Sequence, residues 1–258
     1  MSTSTQAASA DSTANSREVS QPSVFATTRW SVVLTAGQND TTHASTALEK
    51  LCRTYWHPLY AYVRRCGRSP EDAQDLTQEF FARLLERRWL ERADQQKGKF
   101  RSFLLTAMNH FLADEWDKSQ AQKRGGGVPL LPLQLDTAET RYGHEPASRT
   151  TPEQDYERRW ALALLDEVLR RLADEYRQDG RGELFAALHP CLVGERGTQP
   201  YGSLATKLGI SEGTVKSAVH RLRQRYRQLL REEIAHTVAG PAEVDAELHH
   251  LFAALADK

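Results

Sequence analysis

The stretch Tyr201–Leu230 reads YGSLATKLGISEGTVKSAVHRLRQRYRQLL, and the rest of the chain can be organised around it. Leu204, Ala205 and Leu208 give a short helix one apolar face. Gly209 then stops that helix, because glycine tolerates the positive φ that a sharp turn requires. Ser211 suits the N-cap of a second helix, and Glu212 places negative charge on its positive end. Along that helix Val215, Val219, Leu222, Tyr226 and Leu229 recur in steps of four and three, so they share one face. The opposite face carries Thr214, Lys216, Ser217, His220, Arg221, Arg225 and Gln228. An apolar stripe behind a hydroxyl- and base-rich face, entered through a glycine turn, is the layout of a DNA-reading helix-turn-helix. Pattern alone is also compatible with an ordinary helical hairpin whose arginines are merely solvated.

The residues add a resemblance. Leu208–Ser217, LGISEGTVKS, followed by His220-Arg221-Leu222-Arg223, resembles the promoter −35 reading segment of bacterial sigma-70-type factors, especially the extracytoplasmic-function (ECF) group. It implies Ser211, Thr214, Lys216, Ser217, His220, Arg221 and Arg225 as the residues facing duplex DNA.

A second segment lies upstream. Ser69-Pro70-Glu71-Asp72 has a capping serine, a first-turn proline and acids behind it, a helix start. Ala73, Leu76, Phe80 and Leu84 then point one way, and Asp72, Asp75, Gln78 and Glu79 lie on another face. Taken alone, this is an amphipathic helix with a solvated acidic side. Its sequence DAQDLTQEFF also resembles the segment by which sigma factors grip core RNA polymerase, Asp-Ala-x-Asp-Leu-x-Gln-Glu-x-Phe, at every fixed position. The resemblance implies Asp72, Asp75, Leu76, Gln78, Glu79 and Phe81 as polymerase contacts. An acidic, amide-bearing face suits a basic partner helix, its charges setting orientation and on-rate more than affinity.

Beyond Leu90 a polar loop, Glu91–Lys99, leads into a helix from about Arg101 to Lys118, with Phe103, Leu104, Ala107, Phe111 and Leu112 inward. In the family the equivalent loop and helix capture the melted −10 element, chemistry that needs a basic groove, stacking surfaces and amide donors. The resemblance implies Lys97, Lys99 and Arg101 at one end and Lys118, Lys123 and Arg124 at the other, with Asn109 and His110 as hydrogen-bonding groups. The chain departs from the family at Asp114-Glu115-Trp116-Asp117-Lys118, where relatives commonly end Asp-x-x-Arg-Arg.

The expected fold is all-α: two small helical domains joined by a flexible linker, the second containing the helix-turn-helix. The organisation is a disordered tail over 1–23, a region 2-like domain over 24–124, a linker over 125–152, a region 4-like domain over 153–236 and an extension over 237–258. The tail is rich in Ser, Thr, Ala, Gln and Asn, too polar to offset its ordering entropy. Gly125-Gly126-Gly127 opens the linker, whose Val128, Leu130, Leu131, Leu133 and Leu135 are expected in a groove of the polymerase or of the protein itself. Pro58 interrupts an apolar helical pattern and predicts a kink or break. Thr151-Pro152-Glu153 starts the second domain, and Val244, Leu248, Leu251 and Leu255 predict a last helix docked on the body.

Lys and Arg together number 34, as do Asp and Glu, so a nucleic-acid role must rest on segregated rather than net charge. Between Tyr201 and Arg231 the bases are Lys207, Lys216, Arg221, Arg223, Arg225, Arg227 and Arg231, against the single acid Glu212. Cys52, Cys66 and Cys191 form no Cys-x-x-Cys pair, which suits a reducing compartment. With no signal-peptide pattern and no apolar run near the ~20 residues of a span, a cytoplasmic protein without membrane insertion is expected. No nucleotide-binding, nucleophile-elbow or His-x-x-x-His motif appears, so neither catalytic residues, metal nor cofactor is expected. The implied partners are core RNA polymerase, promoter DNA, and an anti-sigma or other regulatory protein. Two alternatives stay open: a stand-alone helix-turn-helix regulator that does not join polymerase, and a helical adaptor whose partner is another protein.

Overall fold

Two helix starts in this chain follow one order of cap, proline and acid, and the longest helix has the more complete version. Thr151 Oγ1 accepts from the Gln154 amide at 3.3 Å, and Gln154 Oε1 accepts from the Thr151 amide at 3.0 Å, a reciprocal capping box. Pro152 follows at the first turn, with Glu153 and Asp155 near the positive helix end. Ser69 works in the same way, its hydroxyl accepting from the Asp72 amide at 3.1 Å.

The computed structural model describes residues 41–85, 99–122, 150–193, 200–238 and 240–256. The expected tail over 1–23, most of the expected linker, and Lys97, Lys123 and Arg124 lie outside the described residues. Every regular element among the described residues is helical: α1 (Thr41–Arg65), α2 (Pro70–Leu85), α3 (Phe100–Gln122), α4 (Pro152–Gln178), α5 (Gly182–Leu188), α6 (Pro190–Val193), α7 (Tyr201–Leu208), α8 (Glu212–Ala235) and α9 (Ala242–Ala256). The all-α expectation holds.

The position of α4 decides the architecture. Its buried residues Tyr156, Trp160, Leu164, Val168, Leu172 and Tyr176 recur every fourth position. A step of four residues overshoots one turn by about 40°, so over five steps the row sweeps about 200° around the helix. The row therefore begins on one side of α4 and ends nearly on the other. Its N-terminal half packs on α1 and α9, and further along it meets α5 and α8. The sequence suggests two modules on a flexible tether. In the structure one contiguous apolar core runs from Tyr55 through α4 to Leu251. The local pattern of each half is compatible with both arrangements, because periodicity does not report how much of a stripe faces each neighbour.

The joint at the start of α4 is aromatic and hydrogen-bonded. The indole of Trp160 donates to Tyr55 Oη at 3.0 Å, and Tyr156 Oη donates to the Arg101 carbonyl at 3.0 Å. Tyr55 meets Phe100 edge-on, ring centroids 5.1 Å apart. Burial drives both phenols above the ordinary tyrosine range, so they remain neutral. At the helix end, Arg65 donates to the Thr150 carbonyl at 2.5 Å, and buried Asp155 accepts from Arg159 at 2.9 Å.

Of the kink or break expected at Pro58, the break does not occur: α1 continues through it. Pro58 forfeits one helical hydrogen bond, but it is buried, flanked by the buried Tyr55, Leu59 and Tyr60. The packing of that face holds the helix together.

Because Trp160 is fully buried and serves both sides of the joint, Trp160→Ala is expected to lower stability by about 3–5 kcal/mol. Urea unfolding followed by far-UV and near-UV circular dichroism should show one transition moving as a unit. A split into two transitions, only one of them shifted, would mean the halves fold independently.

Candidate nucleic-acid interface and acidic helix face

The α7–α8 pair is built as its residues dictate. Leu204 is buried, and Gly209 ends α7 at φ 65° and ψ 29°, the left-handed conformation that favours glycine. The Ile210 amide donates to the Ala205 carbonyl at 3.1 Å, closing the turn. Ser211 Oγ accepts from the Thr214 amide at 3.1 Å and lies 2.8 Å from Thr214 Oγ1, so both hydroxyls hold the start of α8. Val215, Ala218, Val219, Leu222 and Leu229 are buried behind it.

The predicted outer face divides in two. Ser211, Thr214, Lys216, Ser217, His220 and Arg221 are all exposed, and Lys216 meets Glu212 at 2.9 Å on the surface. Such a solvent-screened pair is weak and easily exchanged for a phosphate. Arg225 instead turns back into the protein, reaching the two Glu175 oxygens at 2.6 and 2.8 Å and Glu232 at 3.4 Å. Arg225 thus differs from the other residues of the expected reading face: its fork is held by carboxylates on both sides. Arg223 is likewise structural, donating to the Cys191 carbonyl at 2.8 Å and tying α8 to α6. Exposed Gln224, Arg227, Gln228 and Arg231 extend the polar surface along α8.

On α2, Asp72 and Asp75 are exposed, and Leu76, Gln78 and Glu79 are half-buried. Phe81 is 6% exposed and packs edge-on to Phe80 at 5.5 Å. It belongs to the core, a correction to its place among partner contacts: two adjacent phenylalanines both found apolar neighbours. Glu79 pairs with Arg83 one turn on, and Arg83 also reaches Glu115 of α3 at 2.9 Å. The Arg83 guanidinium lies 4.9 Å from the Phe111 ring centroid, so it bridges α2 and α3.

The residues assigned to −10 capture do not converge. Asn109 is exposed but accepts from Tyr62 Oη at 2.6 Å, and His110 is exposed beside it. Lys118 pairs with Glu115 at 2.8 Å, roughly 25 Å along α3 from Arg101 at 1.5 Å per residue. Lys99 meets Glu247 of α9 at 2.6 Å. Arg101 is buried at 6% exposure, with its guanidinium between Glu157 of α4 and Glu247, the latter at 2.6 Å. Arg101 is thus corrected from a surface contact to a buried ion pair in this conformation. Sequence reading missed Glu157 and Glu247, although Glu247 sits inside the apolar stripe Val244–Leu248–Leu251, where a carboxylate needs a partner.

Among the described residues, no group of three or more His, Cys, Asp or Glu side chains could hold a metal ion. No helix among them is long and apolar enough to cross a membrane.

Comparison with known proteins points the same way as these surfaces. Residues 51–122, from α1 through α3, match the family model for Sigma-70 region 2. The chain is 28% identical over 189 residues to the ECF RNA polymerase sigma factor SigE of Mycolicibacterium smegmatis, an alignment covering 73% of this chain. It spans 63% of that relative's length. No solved structure matches the chain.

The split on α8 gives a paired prediction. Arg221→Ala should weaken duplex DNA binding by on the order of 1–3 kcal/mol with the melting temperature unchanged. Arg225→Ala should lower the melting temperature and leave duplex affinity nearly intact; fluorescence anisotropy and thermal unfolding separate the two. Arg225 holds the Glu175 carboxyl below its ordinary range. The stabilisation is therefore present above the unfolded-state carboxylate value and lost as pH falls through the depressed one. The stability gap between wild type and Arg225→Ala should close on acidification, and a constant gap would contradict the pairing.

Proposed function

We propose, for a chain that belongs to the sigma-70 family, that it works as an ECF-type sigma factor: it joins core RNA polymerase and directs initiation at particular promoters. The observation that carries this reading is the coincidence of the region 2 match with the exposed acidic face of α2. Asp72 and Asp75 stand clear of the core and, with half-buried Leu76, Gln78 and Glu79, form a surface for a basic partner helix. Helix α8 supplies a second surface, basic where α2 is acidic. Thr214, Lys216, Ser217, His220 and Arg221 stand on its outer side, with hydroxyls and bases at the N-terminal end, where a recognition helix meets base edges.

The family consists of non-enzymatic regulatory subunits of polymerase, so the protein contributes binding energy and positioning rather than chemistry. Its polar face on α8 reads −35 duplex, and α3 with the segment before it helps melt the −10 element. Among the described residues, Lys99, Asn109, His110 and Lys118 are the ones this reading assigns to that step. Such a factor acts in the cytoplasm with polymerase and is open to control by an anti-sigma or other regulatory protein.

Co-purification with bacterial core polymerase tests the proposal. Wild type should be retained and Asp75→Arg lost, at least about tenfold in apparent affinity, because reversing an exposed charge on a complementary face sets like charges together. Circular dichroism should show the variant folded, since Asp75 is exposed. Retention of the variant at wild-type strength would remove α2 from the interface. Failure of folded wild type to bind, alongside salt-dependent duplex binding, would favour a stand-alone regulator.

A further inference from the structure

Two segments 146 residues apart meet at one buried carboxylate. Glu247, on α9 and 0% exposed, takes Lys99 Nζ at 2.6 Å, Arg101 Nε at 2.6 Å and Arg101 Nη2 at 3.4 Å. On its other side Arg101 pairs with Glu157 of α4, and its guanidinium lies 5.1 Å from the Trp160 ring centroid. His250, one turn beyond Glu247, reaches Glu157 at 3.0 Å. The Phe100 amide donates to the Thr237 carbonyl at 3.0 Å, so the end of α8 is tied to the same place. Helix α9, together with the segment before it, thus closes the joint between the start of α3 and the α4–α8 body.

The charges here say what the joint does. With α9 seated, Lys99 and Arg101 face Glu157 and Glu247, two cations against two carboxylates. With α9 withdrawn, Glu157 alone remains, and a partly desolvated cation lacks its counter-charge, a costly state unless another anion arrives. A lysine beside an arginine fork suits a phosphate oxygen as well as a carboxylate. The apolar anchorage of α9 is one-sided: Val244 and Leu251 are buried, Leu248, Ala254 and Leu255 pack half-buried against the core, and Phe252 is 56% exposed. A peripheral helix that gives the core one face only is the kind of element that opens sub-globally ahead of the rest of a fold.

We propose that α9 is a clasp in which Glu247 occupies, from within the chain, the Lys99–Arg101 pair that the phosphate backbone of single-stranded DNA takes once the clasp releases. The ligand in this proposal rests on the sigma-type reading; the clasp itself does not. Closed, the molecule keeps the start of α3 away from nucleic acid. Open, it presents two cations at the end of the segment that melts DNA. The apparent affinity for single strands is then the intrinsic affinity reduced by the fraction of molecules that are open.

Hydrogen exchange on the full-length chain tests the clasp without reference to DNA. In Glu247→Gln, amides of α9 and of residues 99–104 should exchange at least about tenfold faster, with α1 and α8 still protected. The same variant should bind a fluorescent single-stranded oligonucleotide about tenfold more tightly by anisotropy. His250→Ala is the second variant: it loosens α9 from Glu157 without altering the Glu247 charge or either cation, and should change both readouts in the same direction, more weakly. Unchanged exchange in both variants would overturn the clasp. Faster exchange without tighter binding in either would make Glu247 a structural ion-pair partner and overturn the competition. If Glu247→Gln loses protection throughout, His250→Ala decides alone by the same criteria. Absence of polymerase binding beside the predicted exchange pattern would count against the sigma reading and leave the clasp standing.

Discussion

The rest of this structure depends on the row of buried side chains that winds around α4. A row repeating every fourth residue cannot stay on one side of an α-helix, and this one runs from Tyr156 to Tyr176. At its start, Trp160 and Tyr156 bind α1 and the beginning of α3 through hydrogen bonds as well as packing. Toward its end, Val168, Leu172 and Tyr176 form the floor beneath α5 and α8. One helix is therefore common to the region 2 segment and to the α7–α8 pair. The hydrogen bonds at its start also set the arrangement, because a buried indole N–H or phenol without a partner is costly.

Charge is distributed by the same logic of what each face meets. The chain has no net formal charge, yet α2 exposes carboxylates and α8 exposes bases, hydroxyls and amides. Between these surfaces several charges are paired across helices. Arg171 reaches Glu232 and buried Glu233 at 2.8 and 3.0 Å, Arg225 reaches Glu175, and Arg101 reaches Glu157 and Glu247. A pair as buried as Arg101 and Glu247 contributes little net stability, but removing one partner is expensive, so it specifies which helices may lie together. Exposed charge is left for partners, and paired charge sets the internal geometry.

Much of this was legible in the sequence because it is local. Ser69, Thr151 and Ser211 mark helix starts through hydrogen bonds to amides three residues on, and Gly209 marks a turn through its own backbone. The outer face of α8 from Ser211 to Arg221 follows from 3.6-residue periodicity. What escaped sequence reading is non-local. Arg225 and Arg101 resemble free surface bases until Glu175 and Glu247 arrive from 50 and 146 positions away. The resemblance alone points to Phe81 as a partner contact, and only the packed structure shows both rings enclosed. The overlooked signal is a carboxylate inside an apolar stripe: Glu233 beside Leu229, Leu230 and Ile234, and Glu247 between Val244 and Leu251. Each marks a place where a distant cation must come.

The central claim is that these two exposed surfaces belong to one initiation factor. Transcription in vitro tests it most directly, with core polymerase, duplex DNA fragments from the source genome, and this protein added or withheld. Discrete transcript starts should appear only with the protein and share a sequence element at a fixed distance upstream. Transcription unchanged by the folded protein, across fragments that together cover the genome, would contradict it.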